Sequence, residues 1–129
     1  DIIWDLEDFR FSSFTYGLFL ADKLIGLMMI NFTKDENEGL TFDTSIIIDP
    51  QYRRCGMGNF LFQKVINDLK ERSNLINSLQ TTIYADNVAS QQLVLRNGFV
   101  FQEQRKVNDK VVYIYRRNLK DVSKVKKMS

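Results

Sequence analysis

The feature that most constrains this chain is the passage from Ile46-Ile47-Ile48 through Asp49-Pro50 into Arg53-Arg54-Cys55-Gly56-Met57-Gly58. Three consecutive β-branched apolar residues read as a strand buried on both faces. From Gly58 onward, Phe62, Val65, Ile66 and Leu69 recur at three- and four-residue spacing, the period of a helix with one apolar stripe. A buried strand must therefore turn at once into a helix that lays this stripe on a sheet, which requires a mixed α/β layer.

The remaining elements follow from punctuation and periodicity. Residues 16–21, a turn at Asp22-Lys23 and residues 24–31 read as a hairpin of apolar strands, with Gly26 marking a bulge. Residues 33–39 are polar enough to be a loop, and 40–48 form the strand already described. A polar connection through Asn77 leads to a strand at 79–85, and 90–97 form a short helix stopped by Gly98. Residues 99–107, Asn108-Asp109 and 110–117 make a second hairpin. There is no repeat and no linker, so residues 1–119 are expected to form a single domain followed by a basic, solvated tail at 120–129.

The glycine-rich, basic junction invites an anion. Gly56 and Gly58 are expected to allow positive φ and to leave no side chain between backbone and ligand. The first amides of a helix lack intrahelical partners and carry partial positive charge, and Arg53 and Arg54 add full charges. This suits a diphosphate. The bland alternative is a tight turn with both arginines in solvent. No Gly-Lys-Ser/Thr follows, and a third glycine is absent, so neither a Walker loop nor a dinucleotide fingerprint is present.

Composition narrows the chemistry. The 129 residues include no histidine, which removes imidazole bases and histidine-ligated metals, and no metal is expected. The single cysteine, Cys55, excludes an internal disulfide or a cysteine zinc cluster, and a cytoplasmic setting fits. A net charge of +2 is too balanced for a general nucleic-acid binder. No apolar run approaches the roughly twenty residues that span a bilayer, and Asp1-Ile2-Ile3-Trp4 does not resemble an export signal. Without an initiator methionine, the amino terminus is expected to be a fragment or a processed end.

These residues resemble the GNAT superfamily of N-acetyltransferases, whose signature Gln/Arg-x-x-Gly-x-Gly/Ala follows a strand ending in Val-x-Pro. Here the counterparts are Ile48-Asp49-Pro50 and the turn from Arg53 to Gly58. A second family motif, an asparagine followed by a short helix ending in Gly-Phe, is matched by Asn87, Ser90, Leu93 and Asn97-Gly98-Phe99. The similarity covers residues 16–117. It implies an α/β (α+β) fold with a mixed, largely antiparallel sheet, helices on both faces, and an amino-terminal strand and helix that are reduced or missing.

The resemblance also implies the donor, acetyl-CoA, and direct acetyl transfer to a primary amine. Its pyrophosphate would lie on Arg53, Arg54, Cys55, Gly56, Met57, Gly58 and Asn59. Its pantetheine arm would lie along the backbone of Ile46, Ile47 and Ile48, where neighbouring strands splay, beside Asn87 and Ser90. Asn87 reads equally well as a plain helix N-cap.

The catalytic positions depart from the family pattern. Where many members carry a glutamate, this chain has Phe42 and Thr82, and where a tyrosine acid is common it has Val94. Asp43, Tyr84 and Asp86 are the candidates left for proton handling, although alternation should turn Asp43 away from the Phe42 face. Glu36 and Glu38 belong to the polar loop. A catalytically silent acyl-CoA-binding regulatory module is the alternative.

The acceptor wall should come from the short amino-terminal segment, with Trp4, Phe9, Phe11 and Phe14 either lining it or packing a helix on the sheet. Apolar surface left there can favour a homodimer. The acidic Asp35-Glu36-Asn37-Glu38 can attract a cationic acceptor, though a solvated loop is the default.

Overall fold

A computed structural model describes residues 2–6, 13–36, 39–72 and 76–119. In order these form β1 (Ile2–Leu6), β2 (Ser13–Leu20), β3 (Lys23–Glu36), β4 (Gly39–Ile48), a 3-10 turn at Pro50–Tyr52, and α1 (Met57–Arg72). There follow β5 (Ile76–Tyr84), α2 (Val88–Arg96), β6 (Val100–Val107) and β7 (Lys110–Asn118). All seven strands share one sheet in the order β1-β2-β3-β4-β5-β7-β6. Every neighbouring pair is antiparallel except β4 and β5.

Local chemistry accounts for the turns. Asn108 and Asp109 both take positive φ, as a two-residue hairpin turn requires. The β2–β3 turn sits at Ala21-Asp22, one residue earlier than expected, and the bulge falls between Leu18 and Phe19, opposite Gly26 and Leu24. The polar stretch beginning at Thr33 is not a loop. β3 continues to Glu36 and pairs with β4 as far as Glu36↔Gly39, because a paired backbone satisfies its hydrogen bonds whatever the side-chain polarity. Asn77 likewise lies inside β5, buried, with its carbonyl accepting from Leu119 N at 2.8 Å.

Both helices lie on one face of the sheet. Alternation places Tyr16, Met28, Ile30, Phe42, Leu79 and Tyr115 together on that face. There they pack with Leu61, Phe62, Val65, Ile66 and Leu69 of α1 and Val94 of α2. Tyr16 donates to Asp68 of α1 at 2.8 Å, and Tyr115 donates to Gln91 of α2 at 3.1 Å. The expectation of helices on both faces is therefore corrected for the described residues. The crossovers β4-α1-β5 and β5-α2-β6 step the same way across the sheet, and a right-handed connection puts both helices on the same side.

The opposite face carries Ser45, Ile47, Thr82 and Tyr84, all exposed. The amino-terminal strand, expected to be reduced or missing, is the five-residue β1, which pairs with β2 from Ile2↔Leu18 to Leu6↔Phe14. Trp4 belongs to this strand and not to a helix. Phe9, Phe11, Glu38 and the tail at 120–129 lie outside the described residues.

Candidate functional site

The site begins where β4 ends. Asp49 caps the short turn by accepting from Gln51 N at 2.9 Å, and its own amide donates to Ile25 O at 2.8 Å. Arg53 Nε donates to Ile48 O at 3.1 Å, so this side chain closes the strand end while its terminal nitrogens stay at the exposed surface. Cys55 is exposed and its thiol donates to Arg53 O at 3.3 Å. Arg54 is exposed with φ 63, a left-handed conformation that costs a non-glycine residue about 1 kcal/mol.

The two glycines of the motif have different tasks. Gly56 has φ 78, and a Cβ added there would meet no atom within 4 Å. Space within the protein does not demand a glycine at this position; the backbone conformation does. Gly58 is helical, which corrects the expectation of positive φ there. Its added Cβ would lie 3.0 Å from Leu93 Cδ2, so Gly58 lets α2 approach α1. The first backbone bond at this helix end is Phe60 N to Gly56 O at 2.9 Å, and the amides of Met57, Gly58 and Asn59 precede it. They point out of the helix end, where an anion is stabilised.

Beside this turn the sheet opens. β4 and β5 pair from Leu40↔Ile76 to Asp43↔Gln80 and no further. Beyond that rung β4 stays bound to β3 through Ile48, and β5 stays bound to β7 through Tyr84, so the two strands form a fork. Backbone groups alternate sides along a strand. Asp49 N donates toward β3, so Ile47 also faces β3, while Ile48 and Ile46 face the fork. The expectation for Ile47 is thereby corrected: its backbone belongs to the β3 ladder and its side chain is exposed on the helix-free face.

α2 begins just past the other arm of the fork, where β5 ends at Tyr84. Asn87 is the N-cap, its side-chain oxygen accepting from Ser90 N at 3.2 Å, which leaves the amide NH2 for another partner. At the far end of α2, buried Asn97 donates to Asn59 Oδ1 and to Leu93 O, each at 2.9 Å. Asn59 therefore contributes a helix-end amide while its side chain ties the two helices. Asn97→Ala is expected to destabilise the protein by about 1–3 kcal/mol, seen as a lower urea midpoint with unchanged slope.

The candidates for proton handling are not gathered into one cluster. Phe42 is buried against α1, and Asp43 points to the other face, where Gln80 Nε2 donates to it at 3.2 Å. Asp43 stands on the last rung before the fork. Tyr84 ends β5 on that same open face, with Lys110 Nζ 5.2 Å from its ring centroid. Asp86 is exposed in the following turn, and Thr82 is exposed while Val94 is buried. Tyr115, not singled out from sequence, is held by Gln91, which also donates to Ala85 O at 2.9 Å; burial, then Tyr113, pushes its phenol above the usual range.

Among the described residues no helix is long and apolar enough to cross a membrane, and no three His, Cys, Asp or Glu side chains cluster as metal ligands. A model of the acetyltransferase (GNAT) family matches residues 2–99. The chain belongs to that family. No curated protein matches it in sequence. Its fold is similar to that of a GNAT-family acetyltransferase from Streptococcus pneumoniae, with 23% identity and a TM-score of 0.74 over 82% of this chain and 66% of that one.

A ribosomal L7/L12 alpha-N-protein acetyltransferase in complex with coenzyme A is also similar, with 19% identity and a TM-score of 0.72 over 84% of this chain and 63% of that one. So is a chimera of spermidine N-acetyltransferase from Vibrio cholerae, with 16% identity and a TM-score of 0.71 over 84% of this chain and 68% of that one. This chain spans about two thirds of the length of these structures.

Proposed function

We propose that this chain binds acetyl-CoA and transfers its acetyl group directly to a primary amine of a small molecule or a protein. The carrying observation is the fork between β4 and β5 opening beside the exposed helix-end amides of Met57, Gly58 and Asn59. The pyrophosphate would rest on those amides and on the turn at Arg53, Arg54, Cys55 and Gly56. The pantetheine arm would add to the β4 edge through the backbone of Ile46 and Ile48, with the Asn87 NH2 and Ser90 near it. The names of the structural neighbours, which act on spermidine or on a ribosomal protein, support an amine acceptor.

In the reaction a neutral amine nitrogen attacks the thioester carbonyl carbon. The new C–N bond forms, the C–S bond breaks, the nitrogen loses a proton, and the CoA thiolate takes one up on leaving. Asp43, at the crotch of the fork on the helix-free face, is the best placed of the candidate carboxylates to take the amine proton, ahead of Asp86 in its exposed turn. Tyr84 ends the other arm of the fork, about 13 Å along β5 from the Asp43↔Gln80 rung, too far to serve a thioester at the crotch, and the departing thiolate takes its proton from solvent.

The test is thiol release from acetyl-CoA across a panel of amines, including spermidine and a peptide with a free α-amine. Release that depends on both donor and amine is the expected result. Micromolar binding of acetyl-CoA without amine-dependent release would instead establish the regulatory module suggested by Phe42, Thr82 and Val94.

A further inference from the structure

On its helix-free face the seam between β4 and β5 carries polar side chains matched across it. Thr41 Oγ1 and Ser78 Oγ share a hydrogen bond at 3.0 Å, and Gln80 Nε2 donates to Asp43 Oδ1 at 3.2 Å. Thr44 is the first residue beyond the last rung of that seam. It is 3% exposed, and its Oγ1 has no hydrogen-bond partner among the described residues. A buried hydroxyl without a partner costs stability that an isosteric valine would not. Thr44 points to the helix face, and its neighbours there, Ile30 across on β3 and Phe42 and Ile46 along β4, are apolar. Packing alone therefore favours valine at this position.

The location gives the hydroxyl a use. Thr44 shares the parity of Ile46 and Ile48, so its backbone also faces the fork. From Ile48, beside the anion-binding turn, to Thr44 is about 13 Å along the strand. An extended pantetheine arm covers such a distance, and its thioester then arrives at the crotch of the fork. Resting on the acetyl-CoA reading above, we infer that Thr44 Oγ1 donates a hydrogen bond to the thioester carbonyl oxygen of the bound acyl donor. Thr44 then recognises the acyl group and not the coenzyme common to donor and product. The hydrogen-bonded pairs of the helix-free face end at Asp43–Gln80; Thr44, just beyond them on the helix face, takes the ligand as its partner.

The experiment compares the wild type with Thr44→Val and Thr44→Ser by calorimetric titration of acetyl-CoA and of free CoA, together with thermal melts of the unliganded proteins. Thr44→Val should weaken acetyl-CoA binding about five- to tenfold and leave free CoA within about twofold. Its unliganded melting temperature should equal or exceed that of the wild type, and Thr44→Ser should restore acetyl-CoA affinity. Unchanged acetyl-CoA affinity in Thr44→Val overturns the inference, as does equal weakening for both ligands. A lower melting temperature in Thr44→Val also overturns it, because the hydroxyl would then have a partner within the protein. A wild type that binds neither ligand removes the acetyl-CoA reading itself, and the inference with it.

Discussion

Replacing Gly56 by alanine is expected to weaken acetyl-CoA binding about 100-fold while costing the unliganded protein only about 1 kcal/mol. The two effects separate because Gly56 has φ 78 and open space around the added Cβ. The methyl group meets no protein atom, so stability falls only through left-handed strain. A ligand seated on the amides of residues 56–59, however, meets the methyl and loses charge-assisted hydrogen bonds worth about 1.5–3 kcal/mol each. Gly58→Ala should behave differently. Its Cβ pushes on Leu93, a flexible side chain at 3.0 Å, while alanine improves helix propensity by up to about 1 kcal/mol. Affinity should then fall less than about fivefold, since no backbone amide is displaced beyond a few tenths of an ångström. Calorimetric titration and urea unfolding of both variants measure these outcomes.

Phe62→Ala should have the largest effect on stability, about 3–5 kcal/mol, much of what a domain of this size has to lose. Phe62 is 1% exposed and stacks edge-on against Phe99 at 5.7 Å between centroids, which joins α1 to the segment leaving α2. Removing the ring leaves a cavity at the point where the two helices share their core. Phe60 is two positions away on the same helix but 40% exposed, so Phe60→Ala should cost less than about 1 kcal/mol. A urea midpoint for Phe62→Ala close to that of Phe60→Ala would show that α1 is not packed as described.

The fold and the candidate site were unequally legible in the sequence. The turn and α1 could be read because an apolar Ile46-Ile47-Ile48 run, two glycines and a 3.6-residue apolar period coincide there. Gly98 marked the end of α2 as a positive-φ stop, while the start read at Ser90 lies two residues past the observed Val88, behind the Asn87 cap. The polar stretch after Thr33 and the Asn77 segment misled, because cross-strand pairing overrides local polarity in a strand. The side on which each helix lies, the separate jobs of Gly56 and Gly58, and the direction of the Ile47 backbone depend on strand order and register. A single sequence does not carry that information. Thr44 gave no signal for the same reason: a threonine in a strand is ordinary, and only the end of the β4–β5 ladder makes it stand out.

The central claim is that the donor lies on the α1 end and along the β4 edge of the fork. Amide-resolved NMR during titration with acetyl-CoA tests this most directly. Large shifts are predicted for the amides of Gly56, Met57, Gly58 and Asn59 and for those of Ile46 and Ile48. A much smaller shift is predicted for Ile47, whose backbone faces β3. Saturable binding that leaves these amides unmoved and shifts residues of β6 and β7 instead would contradict the account.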